Sequence, residues 1–473
     1  MFGPESDKFV IAETLVREEQ QSLFHPPTQP HHSQTLSLIF SLCIIFAQLF
    51  FYMKVLIKQA EIIDPLSPDN GTKKDIFIDN GIIRDLQNTS DQQADQVIEA
   101  QGLIASPGWV DIFSDFGDPG YEFRESLQSG AAAAAAGGYT DVFVIPNTKP
   151  VIDSKTQVEY IKHKSAPLPV NIHPIGAITK NAEGLDLAEM IDMHTSGAIA
   201  FSDGLQPVQS AGVLLKALQY VKAFDGVVIQ IPDDKTVGTN GLVHEGIVST
   251  RLGLPGKPMM AEELLVARDI KLARYADSKI HFTGVTSPKS LEYIRRAKEG
   301  GLKVTCSVTP YHLFFSDEDL VNYDTNLKVY PPLRTKNDIS ALKKAVEDGT
   351  IDCIAAHHLP HEYDSKILEF EYAKNGMIGL ETTFTVIKTI FPQLSNEKLV
   401  NLLSGNARRI FQLPDASVQK DRPACITLFD PKGKSQVNRA FFKSKSANSA
   451  FMGMELNGRI AGTVAGNQVT TLN

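Results

Sequence analysis

The chain has 473 residues, 42% of them hydrophobic and 21% charged, with 46 Lys and Arg against 55 Asp and Glu for a net charge of -9. That composition is ordinary for a globular protein and excludes a disordered or fibrous chain. It also speaks against a nucleic-acid partner, since phosphate binding needs clustered Lys and Arg and no basic cluster is present.

In chain order, residues 1–34 are polar, and Leu36 to Tyr52 is almost wholly apolar, broken only by Ser37, Ser41 and Gln48. A run of this length is at the low edge of a membrane span, which takes roughly 17–25 residues. It lacks the charged n-region and small-residue cleavage site of a secretory signal. Residues 1–52 therefore read either as a weak membrane anchor or, the reading preferred here, as an extension ahead of a true start at Met53, where a strand pattern begins at once. A membrane partner is expected only if residues 36–52 are real.

From Lys54 to about Ala105, short apolar runs at Val55, Asp75–Ile78, Ile83 and Val97–Ile98 are separated by Asp69-Asn70-Gly71 and Asn80-Gly81. Asn-Gly between alternating runs is a hairpin signal, because both residues tolerate the positive φ of a tight turn. The segment predicts part of a small β-sandwich. Gly102 to Asp111 then reads as one buried strand delivering side chains to its C-terminal end.

From Pro107 to about Leu413, apolar strands alternate with helical runs. After Gly108–Ile112 the predicted strands are Thr140–Ile145, Asn171–Ile175, Ala198–Phe201, Val227–Gln230, Lys279–Thr283, Lys303–Ser307 and Ile351–Ala355. Helical patterns fall between them, as at Ala261–Ile270 and Leu291–Lys298, and the alanine run Ala131–Ala136 predicts a tightly packed helix stopped by Gly137-Gly138. Eight strand-then-helix units predict an α/β chain with a (β/α)8 barrel over residues 106–420. Pattern alone leaves a doubly wound sheet open. Short strands resume from Asp421 to Val469. The cysteines, Cys43, Cys306, Cys353 and Cys425, have no C-x-x-C spacing, so neither a cysteine zinc site nor a disulfide scaffold is expected, and a reducing cytoplasm is.

The motifs are specific. Pro107-Gly108, Asp111, Pro119-Gly120, Gly137-Gly138-Tyr139-Thr140, Ile145-Pro146-Asn147-Thr148, His244-Glu245-Gly246, Pro331-Pro332-Leu333-Arg334, Gly379-Leu380-Glu381-Thr382 and Ser444 to Ser449 together resemble the amidohydrolase superfamily and, within it, the bacterial dihydroorotases, over residues 54–470. The resemblance implies a barrel whose sandwich is built from residues 54–105 and 421–473. It also implies a zinc site at the C-terminal ends of the barrel strands, with two histidines one residue apart at the end of the first.

Those histidines are Phe113 and Asp115 here. A third expected histidine is Ile231, a fourth is Gly284, and the catalytic aspartate is His357; Asp203 stands alone where the family often has two acids. Gly117 replaces the arginine that would clamp a substrate carboxylate through its bidentate guanidinium, and Tyr330 replaces an asparagine. Asn147 and His361 are retained at substrate-binding positions. His281 matches a non-ligand histidine and is expected to pack in its strand.

Three readings follow. The leading one is a catalytically silent dihydroorotase homologue without cofactor, linked to pyrimidine biosynthesis. It would be homo-oligomeric and a structural or regulatory partner of aspartate transcarbamoylase. The second is an active cyclic amidohydrolase with a rearranged zinc site drawn from Asp115, Asp203, His357, His358 and His361. Against it, Asp115 and Asp203 read as solvated strand-end acids, and His357–His361 as a polar loop. The third is a small-molecule binding module with Phe113 and Ile231 lining a dry pocket.

Overall fold

Eight strands pair in parallel in sequence order: β1 (Trp109–Ser114), β2 (Tyr139–Val144), β3 (Asn171–Gly176), β4 (Ala200–Phe201), β5 (Val227–Gln230), β6 (Lys279–Phe282), β7 (Val304–Val308) and β8 (Cys353–Ile354). A parallel bridge from Ser114 to His358, just past β8, ties the last strand end to the first. The result is a (β/α)8 barrel. This computed structural model describes residues 53–472; the extension 1–52, with its apolar run and Cys43, lies outside the described residues. Among those described, no helix is long and apolar enough to cross a membrane, and Cys306, Cys353 and Cys425 are free thiols.

Parallel strands covered on both faces need apolar residues on both, which is why they read as continuous runs. Alternate residues divide between two cores. Phe143, Ile145, Ile175, Ile229 and Ile231 belong to one, while Val142, Val144, Ile172, Val228 and Ile280 join the surrounding helices in the other. The expected helical runs lie within Met260–Ala276 and Pro288–Glu299. The alanine-rich helix Leu127–Ala136 starts at a Ser126 capping box with Ser129 and stops at Gly137. Its small residues allow close approach: a Cβ on Gly130 would stand 2.6 Å from the Phe116 ring.

The second sheet takes strands from both ends of the described chain. Its order is Gln468–Thr471, Glu455–Ala465, Cys425–Gln436, Ile104–Pro107, Lys54–Ile62, Lys73–Asp79 and Ile82–Gln87, with Gln96–Glu99 running parallel to Lys54–Ile62. Val55, Ile57, Ile76, Ile78, Ile426, Leu428 and Val464 form its core.

One strand expectation is corrected. Gly102 to Asp111 is not a single strand: Ile104–Pro107 belongs to the second sheet and Trp109–Ser114 to the barrel. Gly108 carries the chain from one to the other, and a Cβ there would lie 2.1 Å from Thr140 Oγ1 and 2.7 Å from Cys425 Sγ. Its carbonyl accepts hydrogen bonds from Ser404 Oγ at 2.7 Å and from the Arg408 guanidinium at 2.8 Å. The same guanidinium nitrogen reaches Asp141 at 2.6 Å, and His173 Nε2 lies 2.9 Å from the other Asp141 oxygen. Burial opposes ionisation of Asp141, but the His173 and Arg408 contacts outweigh it and hold the carboxyl well below the usual range.

Candidate functional site

The C-terminal strand ends of the barrel, where such folds carry their chemistry, are closed by side chains packed on one another. The ring of Phe113, at the end of β1, faces that of His357 with centroids 4.6 Å apart and planes 32° apart. Both residues are fully buried, as is Ile231, which shares the Phe113 core. Gly284 has φ +71°, and a Cβ there would meet His357 Cε1 at 2.8 Å and Pro331 Cδ at 3.3 Å. The imidazole of His357 therefore fills the space from which a side chain at 284 would project.

A hydrogen-bonded chain crosses the interior behind that stack. His357 Nε2 lies 2.7 Å from Thr283 Oγ1, which accepts from Ser307 Oγ at 2.9 Å. Ser307 Oγ is in turn 3.1 Å from His281 Nε2, and His281 Nδ1 is 2.9 Å from Thr305 Oγ1. His281 is a packed strand residue, as expected. His312 is bound by Thr309 Oγ1 at 2.8 Å and by the Pro331 carbonyl at 2.9 Å.

Burial pushes all three of these histidines down to about 3, and for His357 the neighbouring His312 and His281 add to the effect. They stay neutral in the folded chain, while unfolded histidine takes a proton below about pH 6.5. The unfolded state then binds more protons, so stability present above pH 6.5 is lost as the pH falls towards 3. Each group contributes a slope of up to about 1.4 kcal/mol per pH unit. Buried carboxyls whose pKa is raised, such as Asp203, act with the opposite sign over part of this window, so the test is the difference between two chains. His312→Gln should shift the pH dependence of the urea midpoint by about one proton relative to the native chain, and an unchanged dependence would refute neutral burial of His312.

The acids are equally enclosed, which corrects their expectation as solvated groups. Asp115 is 2% exposed and Asp203 1%. Asp115 accepts the Gly117 N–H at 2.8 Å and pairs with Arg124 at 3.4 Å; burial raises its pKa and Arg124 opposes the rise. Asp203 accepts the backbone N–H of Thr179 at 2.9 Å and its hydroxyl at 2.5 Å, and burial pushes it up to about 6. Nor are His357 and His358 part of a polar loop, since both are fully buried, with His358 Nε2 3.5 Å from Glu125 Oε2. Among the groups at these strand ends, His357 Nδ1 and His358 Nε2 are buried without a hydrogen-bond partner, the latter despite its approach to Glu125.

A catalytic zinc needs three or more converging protein ligands. Among the described residues no three His, Cys, Asp or Glu side chains come together in a way that could hold a metal ion. Asp115, Asp203 and His361 are each held by other groups, and although His357 Nδ1 and His358 Nε2 lack hydrogen-bond partners, they do not converge with a third ligand, so the side chains present do not fit a zinc ion.

The retained substrate positions also serve the loops. Asn147 Nδ2 donates to the Asp203 carbonyl at 3.1 Å, while its Oδ1 accepts the Leu205 N–H at 2.9 Å. His361 Nε2 lies 2.8 Å from the Asn375 carbonyl. Gly117, in place of the arginine, has φ +64° and would put a Cβ 2.8 Å from the Tyr121 carbonyl. Any larger residue there would be strained.

Sequence reasoning missed the open part of the mouth. A cavity of about 770 Å³ is lined by Leu205, Gln206, Asp233, Lys235, Lys257 and Tyr330, among others. Within it Lys257 Nζ pairs with Asp233 Oδ1 at 2.9 Å, and the Tyr330 hydroxyl donates to Asp233 Oδ2 at 2.8 Å. The one sequence signal was Tyr330 in place of an asparagine.

The dihydro-orotase-like family model matches residues 102–290. A dihydroorotase of Caldanaerobacter subterraneus is 39% identical over 421 residues, covering 88% of this chain and 97% of that protein. One of Geobacter metallireducens is 40% identical over 421 residues, covering 88% and 99%. Among solved structures, the L-hydantoinase (dihydropyrimidinase) of Arthrobacter aurescens superposes with a TM-score of 0.78 at 22% identity, covering 89% of this chain and 98% of that one, a likeness of fold. With a barrel of that architecture and relatives this similar over nearly their whole length, the chain belongs to the dihydroorotase family.

Proposed function

We propose that this chain is a catalytically silent dihydroorotase homologue. In this reading it serves pyrimidine biosynthesis as a homo-oligomeric structural or regulatory partner of aspartate transcarbamoylase in a reducing cytoplasm. The observation that carries the silence is the Phe113–His357 stack against Gly284. A zinc hydrolase depends on metal to lower the pKa of bound water to about 7, and here apolar and aromatic packing fills the ligand positions. A neutral His357, pushed down to about 3 by burial and hydrogen-bonded to Thr283, is poorly matched to proton shuttling near neutral pH. The choice of partner rests on the family resemblance, and free thiols at Cys306, Cys353 and Cys425 accord with the compartment.

The test uses the full chain, purified alone and co-expressed with aspartate transcarbamoylase. We expect substoichiometric zinc, no cyclisation of carbamoyl aspartate above background with added zinc, and co-elution with the transcarbamoylase. Stoichiometric zinc with turnover would overturn the silence. Separate elution of the two proteins would overturn the partnership.

A further inference from the structure

The helix Met260–Ala276 buries Val266, Ile270, Ala273 and Ala276 in the core shared with the barrel. Its opposite face carries a second apolar row. Met260, Leu264 and Tyr275 are between 48% and 76% exposed, with half-buried Ala267 and exposed Lys271 among them. At about 100° per residue these positions share an arc of about 80°, so they form one stripe along a helix about 25 Å long. Exposed apolar residues scattered singly are ordinary, whereas a continuous row marks a contact surface.

The stripe reads nearly the same from either end. Its midpoint falls between Ala267 and Arg268, so an antiparallel copy related by a two-fold axis there sets Met260 opposite Tyr275 and Leu264 opposite Lys271. The small Ala267 lies at the crossing, where the helix axes approach most closely. A thioether then meets an aromatic ring, and Leu264 packs on the apolar stem of the lysine.

Charge agrees with that orientation. Glu263 and Arg274 flank the stripe on the same side, towards opposite ends. Glu263 accepts from the Ser287 hydroxyl at 2.7 Å through one oxygen, while Lys271 and Arg274 are exposed and pair with no acid among the described residues. The two-fold axis brings Glu263 of each copy to Arg274 of the other. Parallel pairing would instead set like charge against like.

We propose that this chain pairs with a second copy of itself through the outer face of the helix Met260–Ala276, antiparallel about Ala267. The proposal rests on the homo-oligomeric reading above and names the surface that makes the contact. One helix pair lies at the low end of stable interfaces, which bury about 1,200 Å² or more. The dimer is therefore reversible, with a Kd of micromolar order.

Sedimentation velocity on the full chain at about 1–100 μM, the range that brackets such a Kd, should show a monomer–dimer equilibrium. Leu264→Glu and Arg274→Glu should each weaken it by at least about tenfold, and Glu263→Arg joined to Arg274→Glu should restore most of the association. Ala267→Cys should crosslink to its own copy on mild oxidation, because a two-fold axis beside it brings the two sulfurs within reach of a disulfide. An exposed cysteine off this helix, Lys420→Cys, should not. A chain that stays monomeric throughout overturns both this surface and the homo-oligomeric reading. An oligomer left intact by Leu264→Glu and Arg274→Glu overturns this surface alone, as does an Ala267→Cys chain that crosslinks no faster than the native one.

Discussion

Arg408→Met is expected to cost about 3–5 kcal/mol of folding stability, the range for removing one partner of a buried charge pair. Arg408 is 8% exposed and Asp141 4%. Without the guanidinium, Asp141 loses its one fully charged partner and keeps His173, Asn171, Thr140 and the Cys425 thiol to offset its desolvation. The Gly108 carbonyl would retain Ser404 alone. Three parts of the fold separate at once, because this one side chain links the crossing at Gly108, the strand β2 and the helix Asn406–Phe411. Urea unfolding measures the loss. Arg408→Lys should recover only part of it, since an ammonium cannot reproduce the planar fork that spans the carboxylate and the carbonyl. A Met variant within about 1 kcal/mol of the native chain would show that Asp141 is neutral or solvated.

The second large effect is at Gly284. Gly284→Ala should destabilise by about 2–4 kcal/mol, combining overpacking with a methyl group in the left-handed region. The His357 ring cannot swing away cheaply, because it is stacked on Phe113 and hydrogen-bonded to Thr283. His357→Ala removes the obstruction at the expense of a cavity. The double variant should therefore be more stable than the sum of the single losses predicts, by at least about 1 kcal/mol. Additive losses in the double-mutant cycle would refute the claim that the imidazole occupies the space a side chain at 284 needs. This cycle also separates steric filling from simple loss of ligands without recourse to an activity assay.

The barrel strands were legible because burial on both faces leaves a continuous apolar run. Val227–Gln230 has its expected bounds, and the strand expected at Lys279–Thr283 ends one residue early. The crossing at Gly108 was not legible, since an apolar run looks the same whether it stays in one sheet or passes between two. Burial of Asp115 and Asp203 was hidden for a related reason: a carboxylate at a strand end reads as solvated until Arg124 or Thr179 is seen beside it. The residues at the family's expected ligand positions came from the resemblance, residue by residue. How they pack was not legible, because the His357 contact with Gly284 and the Tyr330 contact with Asp233 join distant stretches of chain.

The second sheet bears on how the chain is made. Ile104–Pro107 pairs with Lys54–Ile62 over only two residues, and its longer partner is Cys425–Gln436; the hydrogen bond from the Trp109 N–H to Thr427 Oγ1 next to that seam spans 318 residues. During synthesis the early strands emerge with one edge bare, and that edge stays open until nearly the whole polypeptide has left the ribosome. Such long-range pairing is slow to form and leaves an edge able to add strands from other chains. A chain stopped before Cys425 therefore leaves the edge of Ile104–Pro107 uncovered, and in the described fold Cys425–Gln436 conceals it.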